Sequence, residues 1–135
     1  EVFDDSVWSQ RVANPEKLVG RHQDGQTKVI VGLVGVQTNQ FPRAVDLAKR
    51  FQKAGAQVIV GGFHVSGSIS ALCDGISEAD PYRPGIPCPH AMPTEITALM
   101  AKGIIICQGE CEDIWREILA DIVWGVNKIL CRHFV

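Results

Sequence analysis

The chain has 135 residues, of which 46% are hydrophobic and 21% are charged, and its formal net charge is −2. This length fits a single domain with one core, and the apolar content is too high for a disordered chain. The nearly balanced charge provides no basic field, so we expect no nucleic-acid partner. No apolar stretch approaches the roughly 20 residues of a transmembrane helix, and Glu1–Asp5 does not resemble a signal peptide. We therefore expect no membrane contact and a cytoplasmic protein, although the missing initial Met suggests a trimmed chain or a fragment.

Residues 1–26 are predicted to form an N-terminal arm that contains one short helix. Asn14 is a residue type that caps helices, and the following Pro15 suits the first helical position. The remaining residues, 27–135, are predicted to form one α/β domain.

Three apolar segments rich in β-branched residues predict strands that are buried on both faces of a parallel sheet. These segments are Lys28–Gln37, Gln57–Gly62 and Ile104–Cys107. Helical patterns separate or follow them, at Pro42–Ala54, Ser68–Cys73, Thr94–Lys102 and Glu110–Trp124. This order predicts a three-layer, flavodoxin-like or Rossmann-like α/β fold, with a small parallel sheet and helices on both faces.

The sequence also contains a long irregular segment. Residues 74–93 hold five of the seven prolines, which predicts an excursion over the surface. The tail, Asn127–Val135, could add a further extended segment. Because a three-stranded sheet leaves two apolar edges unpaired, we expect a homo-oligomer or a partner domain to cover them.

The ends of the three predicted strands are the best candidates for a ligand site. In open parallel sheets, ligands bind outside the carboxyl ends of the strands, where loops and helix N-termini converge. The segments at that edge are Gln37–Gln40, Gly61–Gly67 and Gln108–Glu112. We expect the site to centre on the second of them, around Gly61, Gly62, Phe63 and His64.

Each of these residues also has a purely structural interpretation. Gly61 and Gly62 allow a ligand to approach the backbone closely, or they simply make a tight turn. His64 could bind a ligand, but a single His is more often just hydrogen-bonded. Thr38 and Asn39 either contact a ligand or cap the helix that follows, and capping is the simpler explanation.

The cysteines and acids do not form a complete catalytic or metal site. Cys107 and Cys111 are spaced as Cys-x-x-x-Cys, but Ile114 stands where an iron–sulfur cluster would need its third cysteine. Glu110 and Glu112 could work as a carboxylate pair, although acids in the first turn of a helix are the simpler explanation.

The remaining potential ligands, Cys73, Cys88 and His90, match no zinc spacing. The sequence contains no phosphate-binding loop, no dinucleotide fingerprint and no nucleophile elbow. With an odd number of cysteines and a large core, the chain is expected to keep free thiols. We expect a binding module rather than an enzyme that acts alone.

The three strand ends resemble motifs of the N-terminal cobalamin-binding domain of cobalamin-dependent radical SAM proteins. The matching segments are Val34–Asn39, Gly61–Gly67 and Gly109–Glu112, in the family's order, and the similarity extends from about Lys28 to Asp121. The resemblance implies a doubly wound sheet that holds a corrinoid over the carboxyl ends of its strands. It implies the following cofactor-binding residues: Thr38, Asn39, Gly61, Gly62, Phe63, His64, Ser66, Gly109 and Glu110.

Two family features are absent from this sequence. There is no Asp-x-His-x-x-Gly segment to supply a lower axial His, and there is no Cys-x-x-x-Cys-x-x-Cys cluster. The resemblance therefore implies a cobalamin-binding module, without an iron–sulfur cluster, that serves a separate radical SAM partner. One alternative is a degenerate α/β scaffold that oligomerises and no longer binds cobalamin. Another is a small enzyme that uses His64, Glu110 or Cys107, which requires a pocket that brings those groups together.

Overall fold

Four parallel strands, in the order β1-β2-β3-β4, form the centre of the computed structural model, which describes residues 1–72, 91–125 and 130–133. The strands are β1 (Ile30–Leu33), β2 (Gln57–Gly61), β3 (Ile105–Gly109) and β4 (Leu130–His133). The helices are α1 (Pro15–Gly20), α2 (Phe41–Lys53), α3 (Phe63–Leu72), α4 (Thr94–Met100) and α5 (Trp115–Val123). The predicted α/β fold is confirmed, and the layout is consistent with a flavodoxin-like arrangement.

Alternate residues of β2 and β3 pack into two separate cores. Val58 and Val60 face α2, α3 and α4 on one side of the sheet, whereas Ile59 faces α5 on the other. The neighbouring strand follows the same rule, since Ile106 belongs to the first core and Ile105 to the second. Burial on both faces explains why these strands lack polar alternation in the sequence.

Within the described residues, the sheet has four strands rather than three, because the tail, where a further extended segment was considered, joins it. The tail contributes β4, which pairs in parallel with β3 and aligns Cys131 with Cys107. β1 is also shorter than the predicted Lys28–Gln37, because the chain leaves the sheet after Leu33 and turns at Gly35, whose φ is 66°. Most of the predicted Pro-rich excursion, residues 74–93, lies outside the described residues.

Two helices begin at positions other than those predicted. α3 starts at Phe63, directly after β2, rather than at Ser68, so the expected Gly61–Gly67 loop is mostly helical. α5 starts at Trp115 rather than at Glu110, and its Val123 is 61% exposed. No helix in the described ranges has the length and apolarity needed to cross a membrane.

The N-terminal segment contains the predicted short helix and packs against α2. The side chain of Asn14 accepts a hydrogen bond from the Lys17 N–H at 2.8 Å, as expected of a helix cap. Val19 is fully buried in the first core. Asp5 forms a two-point contact with Arg43 of α2, with Nε–Oδ2 and Nη2–Oδ1 distances of 3.0 and 3.3 Å.

We expect the Asp5→Asn substitution to lower the free energy of unfolding by about 0.5–1 kcal/mol near pH 7. Partial burial raises the pKa of Asp5, but hydrogen bonds from Arg43 and from the Val12 N–H, together with the Arg43 charge, outweigh that effect and lower it. A carboxylate with a lowered pKa stabilises the fold above its unfolded-state pKa of about 4, and this stabilisation is lost as the pH falls through the folded-state value.

Urea unfolding at about pH 7 and about pH 2.5 measures this effect. The difference between wild type and Asp5→Asn should be present at the higher pH and smaller at the lower one. Asp46→Asn is the matched control, because Asp46 is more exposed and lies 3.7 Å from the same arginine. If Asp5→Asn lowered the free energy of unfolding equally at both pH values, the stabilisation would not come from the ionised Asp5 carboxylate.

Candidate functional site

The helices that follow the two central strands leave on opposite faces of the sheet. α3 continues directly from β2 and packs into the first core through Val65 and Ile69. α5 follows β3 and packs into the second core through Ile118 and Ile122. Where neighbouring strands send their helices to opposite faces, a space opens above their carboxyl ends, and ligands bind there in open α/β sheets.

A crevice of about 700 Å³ lies at this point. Its lining comes from the end of β1, the β2–α3 junction and the β3–α5 connection. The lining residues are Val34, Gly35, Ile59, Gly61, Gly62, Phe63, Ser66, Gly67, Cys107, Gly109, Glu110, Cys111, Glu112 and Trp115. The three predicted strand-end motifs therefore meet at one cavity.

Gly62 holds the loop after β1 against the start of α3. The Val36 N–H donates to the Gly61 carbonyl at 3.3 Å, and the His64 N–H donates to the Val36 carbonyl at 3.0 Å. Gly62 has a φ of 128°, and a Cβ there would lie 2.2 Å from the Val36 nitrogen. The glycine is therefore required by the close approach of two backbone segments, which explains it without any ligand.

Ser66 joins α3 to the end of β3. Its Oγ accepts a hydrogen bond from the Gly109 N–H at 3.0 Å, and one turn later Ser70 Oγ accepts from Gln108 Nε2 at 3.3 Å. Gly109 itself has a φ of 85°, in the region that favours glycine. These contacts set the distance between the two sides of the crevice.

His64 is not part of the crevice lining. Its Nδ1 lies 3.3 Å from the Thr38 hydroxyl oxygen, and its ring stacks on Phe41 with the centroids 4.1 Å apart. Its Nε2 lies 4.0 Å from a carboxylate oxygen of Glu95, and its side chain is only 16% exposed. His64 therefore contacts Thr38, Phe41 and Glu95, and it lies beside the crevice rather than inside it.

Thr38 and Asn39 lie in a short 3-10 turn, Thr38–Gln40, that precedes α2. The N-cap of α2 is Gln40, so the predicted capping role for Thr38 and Asn39 was wrong. With Gln37 and Phe63 they line a second cavity of about 470 Å³. Phe63 also lines the crevice, so the two cavities are neighbours.

Three cysteines lie close together at the crevice: Cys107 and Cys111 belong to its lining, and Cys131 of β4 pairs with Cys107 of β3. Burial raises the pKa of Cys107 far above its ordinary value, and the nearby Cys111 and Cys131 thiols act in the same direction. Burial also raises the pKa of Cys111. Both thiols are therefore protonated at neutral pH and are weak metal ligands. In the described ranges, no group of three His, Cys, Asp or Glu side chains is placed to hold a metal ion.

Glu110 and Glu112 are exposed residues of the crevice lining. The interpretation of these two as first-turn acids was wrong, because α5 begins at Trp115 and its first-turn acid is Glu117. Burial raises the pKa of the Cys111 thiol, and the Glu112 charge contributes in the same direction.

Sequence reasoning missed Trp115. Its indole packs over β1, where a Cβ on Gly32 would lie 3.4 Å from Cη2, and it also lines the crevice. Its position three residues after the Gly-Glu-Cys-Glu motif was the signal in the sequence that could have placed it near the site. Of the three residues that the small-enzyme hypothesis named, the crevice lining includes Cys107 and Glu110 but not His64.

Comparisons with known proteins identify no family for this chain. No protein-family model matches it, and no curated protein matches it. Among solved structures, it is similar to the N-terminal domain of a hypothetical protein from Thermotoga maritima. That similarity has a TM-score of 0.47 and 16% sequence identity, and it covers 87% of this chain and 71% of the other.

We expect Gly62→Ala to lower the free energy of unfolding by about 3 kcal/mol or more, because the new methyl group clashes with the Val36 backbone at an unfavourable φ. Gly20→Ala in α1 is the control. Nothing lies within 4 Å of a Cβ there, and alanine should stabilise the helix by up to about 1 kcal/mol. Urea unfolding measures the free energy of unfolding of both variants. Similar values for Gly62→Ala and Gly20→Ala would contradict the close backbone approach at Gly62.

Proposed function

We propose that this chain is a corrinoid-binding module that has no catalytic cluster of its own and serves a separate radical SAM partner. The main support is the convergence of the three strand-end motifs on one crevice between β2 and β3. Because residues of all three motifs line the same cavity, one ligand could contact them together.

The size and surface of the crevice suit a broad, largely apolar ring. Its volume of about 700 Å³ lies within the roughly 300–1,000 Å³ of small-molecule sites. Several lining residues are glycines, which let a flat ligand approach the backbone: Gly35, Gly61, Gly62, Gly67 and Gly109. Val34 and Phe63 are 74% and 79% exposed at this site, and exposed apolar clusters mark places where ligands or partners bind.

Most of the predicted binding residues are available to such a ligand. Those on the crevice lining are Gly61, Gly62, Phe63, Ser66, Gly109 and Glu110. Thr38 and Asn39 line the neighbouring cavity, where a nucleotide tail could extend past Phe63. His64 would act indirectly, by holding Thr38 in place.

When bound, a corrinoid supplies a cobalt centre that can carry a methyl group or an electron. The described residues that line the crevice include several glycines and apolar side chains and no imidazole, so the chain would hold the ring through the shape and apolar surface of the crevice. The chain's own part is to bind and orient the ring and to shield one of its faces from water.

Hydroxocobalamin titration tests this proposal. Binding should shift the absorbance spectrum of the ligand, and at 100 times the dissociation constant it should stabilise the fold by about 2.7 kcal/mol. Gly67→Leu should weaken binding at least about tenfold, because Phe63, Ser66 and Gly67 share one face of α3 and a leucine there fills the crevice.

Gly20→Leu is the matched control, since it makes the same change in a helix away from the crevice, with open space around the new side chain. It should bind hydroxocobalamin like the wild type. Neither variant should lose stability, because leucine is a better helix former than glycine. An unchanged spectrum and no stabilisation of the wild type would contradict the proposed function.

We also propose, as a second candidate, an oligomerising scaffold that does not need the cofactor. It is favoured by the position of β1 at one end of the sheet in the described residues, where Ile30, Val31 and Leu33 are only partly buried. An edge strand of this kind presents unpaired backbone groups to which another chain can bind.

Light scattering tests the oligomerising scaffold, because it measures the mass of the protein in solution. A homodimer would have about twice the 14.7 kDa mass of the chain, without added ligand. A strict monomer over a wide concentration range would contradict the scaffold while leaving the corrinoid-binding proposal intact.

A further inference from the structure

Three of the described segments that line the crevice together contain acidic side chains but no lysine or arginine. The β1–α2 loop, residues 34–40, and the β2–α3 junction with its helix, residues 61–72, contain no Asp, Glu, Lys or Arg. The β3–α5 connection contributes Glu110, Glu112 and Asp113. The 13 lysines and arginines of the chain lie outside these three segments; among them, Arg116 follows the lining residue Trp115, and Arg132 of β4 pairs with Gln108 of β3.

Two of these acids lie on the crevice itself. Glu110 and Glu112 are exposed and belong to the lining, on either side of Cys111, which also lines the crevice. Ionised carboxylates accept hydrogen bonds only, and they form strong ones with N–H donors. This side of the crevice therefore favours ligand groups that donate hydrogen bonds and disfavours anionic groups.

We propose that Glu110 and Glu112 make the crevice selective for corrinoids whose ring side chains are amides, and that they reject corrinoids with free carboxylates on the ring. This inference rests on the proposed function. An amide NH₂ on the ring edge donates to these carboxylates, whereas a carboxylate in the same place meets like charge. The two groups have nearly the same shape, so charge rather than size decides between them.

The test compares two ligands that differ by one group. Hydroxocobalamin has amides around its ring, and its ring monocarboxylates, produced by hydrolysis of a single amide, carry one additional negative charge. The phosphodiester of the nucleotide tail is common to both, so its effect cancels. We expect the wild type to bind at least one monocarboxylate about tenfold more weakly than hydroxocobalamin near pH 7. Because the carboxylates are exposed, the ratio should decrease at about 0.5 M salt.

Variants then locate the effect. In E110Q/E112Q, the two affinities should become equal within about twofold to threefold, since the amide side chains can serve both ligands. Asp113→Asn combined with Glu117→Gln is the matched control: it removes the same charge from the same part of the chain but outside the crevice lining. Its ligand preference should remain that of the wild type. All four substitutions are at exposed positions, so folding is preserved.

Each outcome leads to a separate conclusion. If the wild type binds hydroxocobalamin and every monocarboxylate equally well, the selectivity is wrong while the proposed function stands. If the preference exists but survives in E110Q/E112Q, its assignment to these two residues is wrong. If hydroxocobalamin does not bind, the proposed function fails and this inference fails with it.

Discussion

The architecture depends on the burial of β2 and β3 on both faces. Because Ile59 and Ile105 are as apolar as Val58 and Ile106, the sheet needs helices on both sides. α3 covers the first side and α5 the second, and these two helices follow neighbouring strands. Their divergence leaves the carboxyl ends of β2 and β3 uncovered, and the crevice is the result. The candidate site is thus a consequence of how the core is covered.

Backbone contacts then give the crevice its shape. Gly62 allows the loop after β1 to lie directly against the start of α3, and Ser66 ties that helix to Gly109 at the end of β3. Both residues therefore act on the site through the scaffold, whether or not they touch a ligand. Gly67 differs from them, because open space surrounds the position of its missing Cβ.

Local patterns in the sequence were sufficient for much of the fold. The strand–helix–strand order, α2, α4 and the capped helix at Asn14 were all predictable, because periodicity and capping are properties of neighbouring residues. The starts of α3 and α5 were not. The sequence between β2 and Ser68 contains two glycines that suggest a longer loop, but packing of Val65 against the first core makes the segment helical from Phe63 onward.

By itself, the sequence determined the α/β class and the three strand-end motifs, because buried strands and helix signals are encoded in short stretches. Only the tertiary structure decided which motif residues share a cavity. It turned His64 toward Thr38 and Phe41, brought Trp115 and Glu112 to the crevice, and placed Cys131 beside Cys107. These outcomes depend on contacts between residues distant in the chain, and they follow from the packing of helices on the two faces of one sheet.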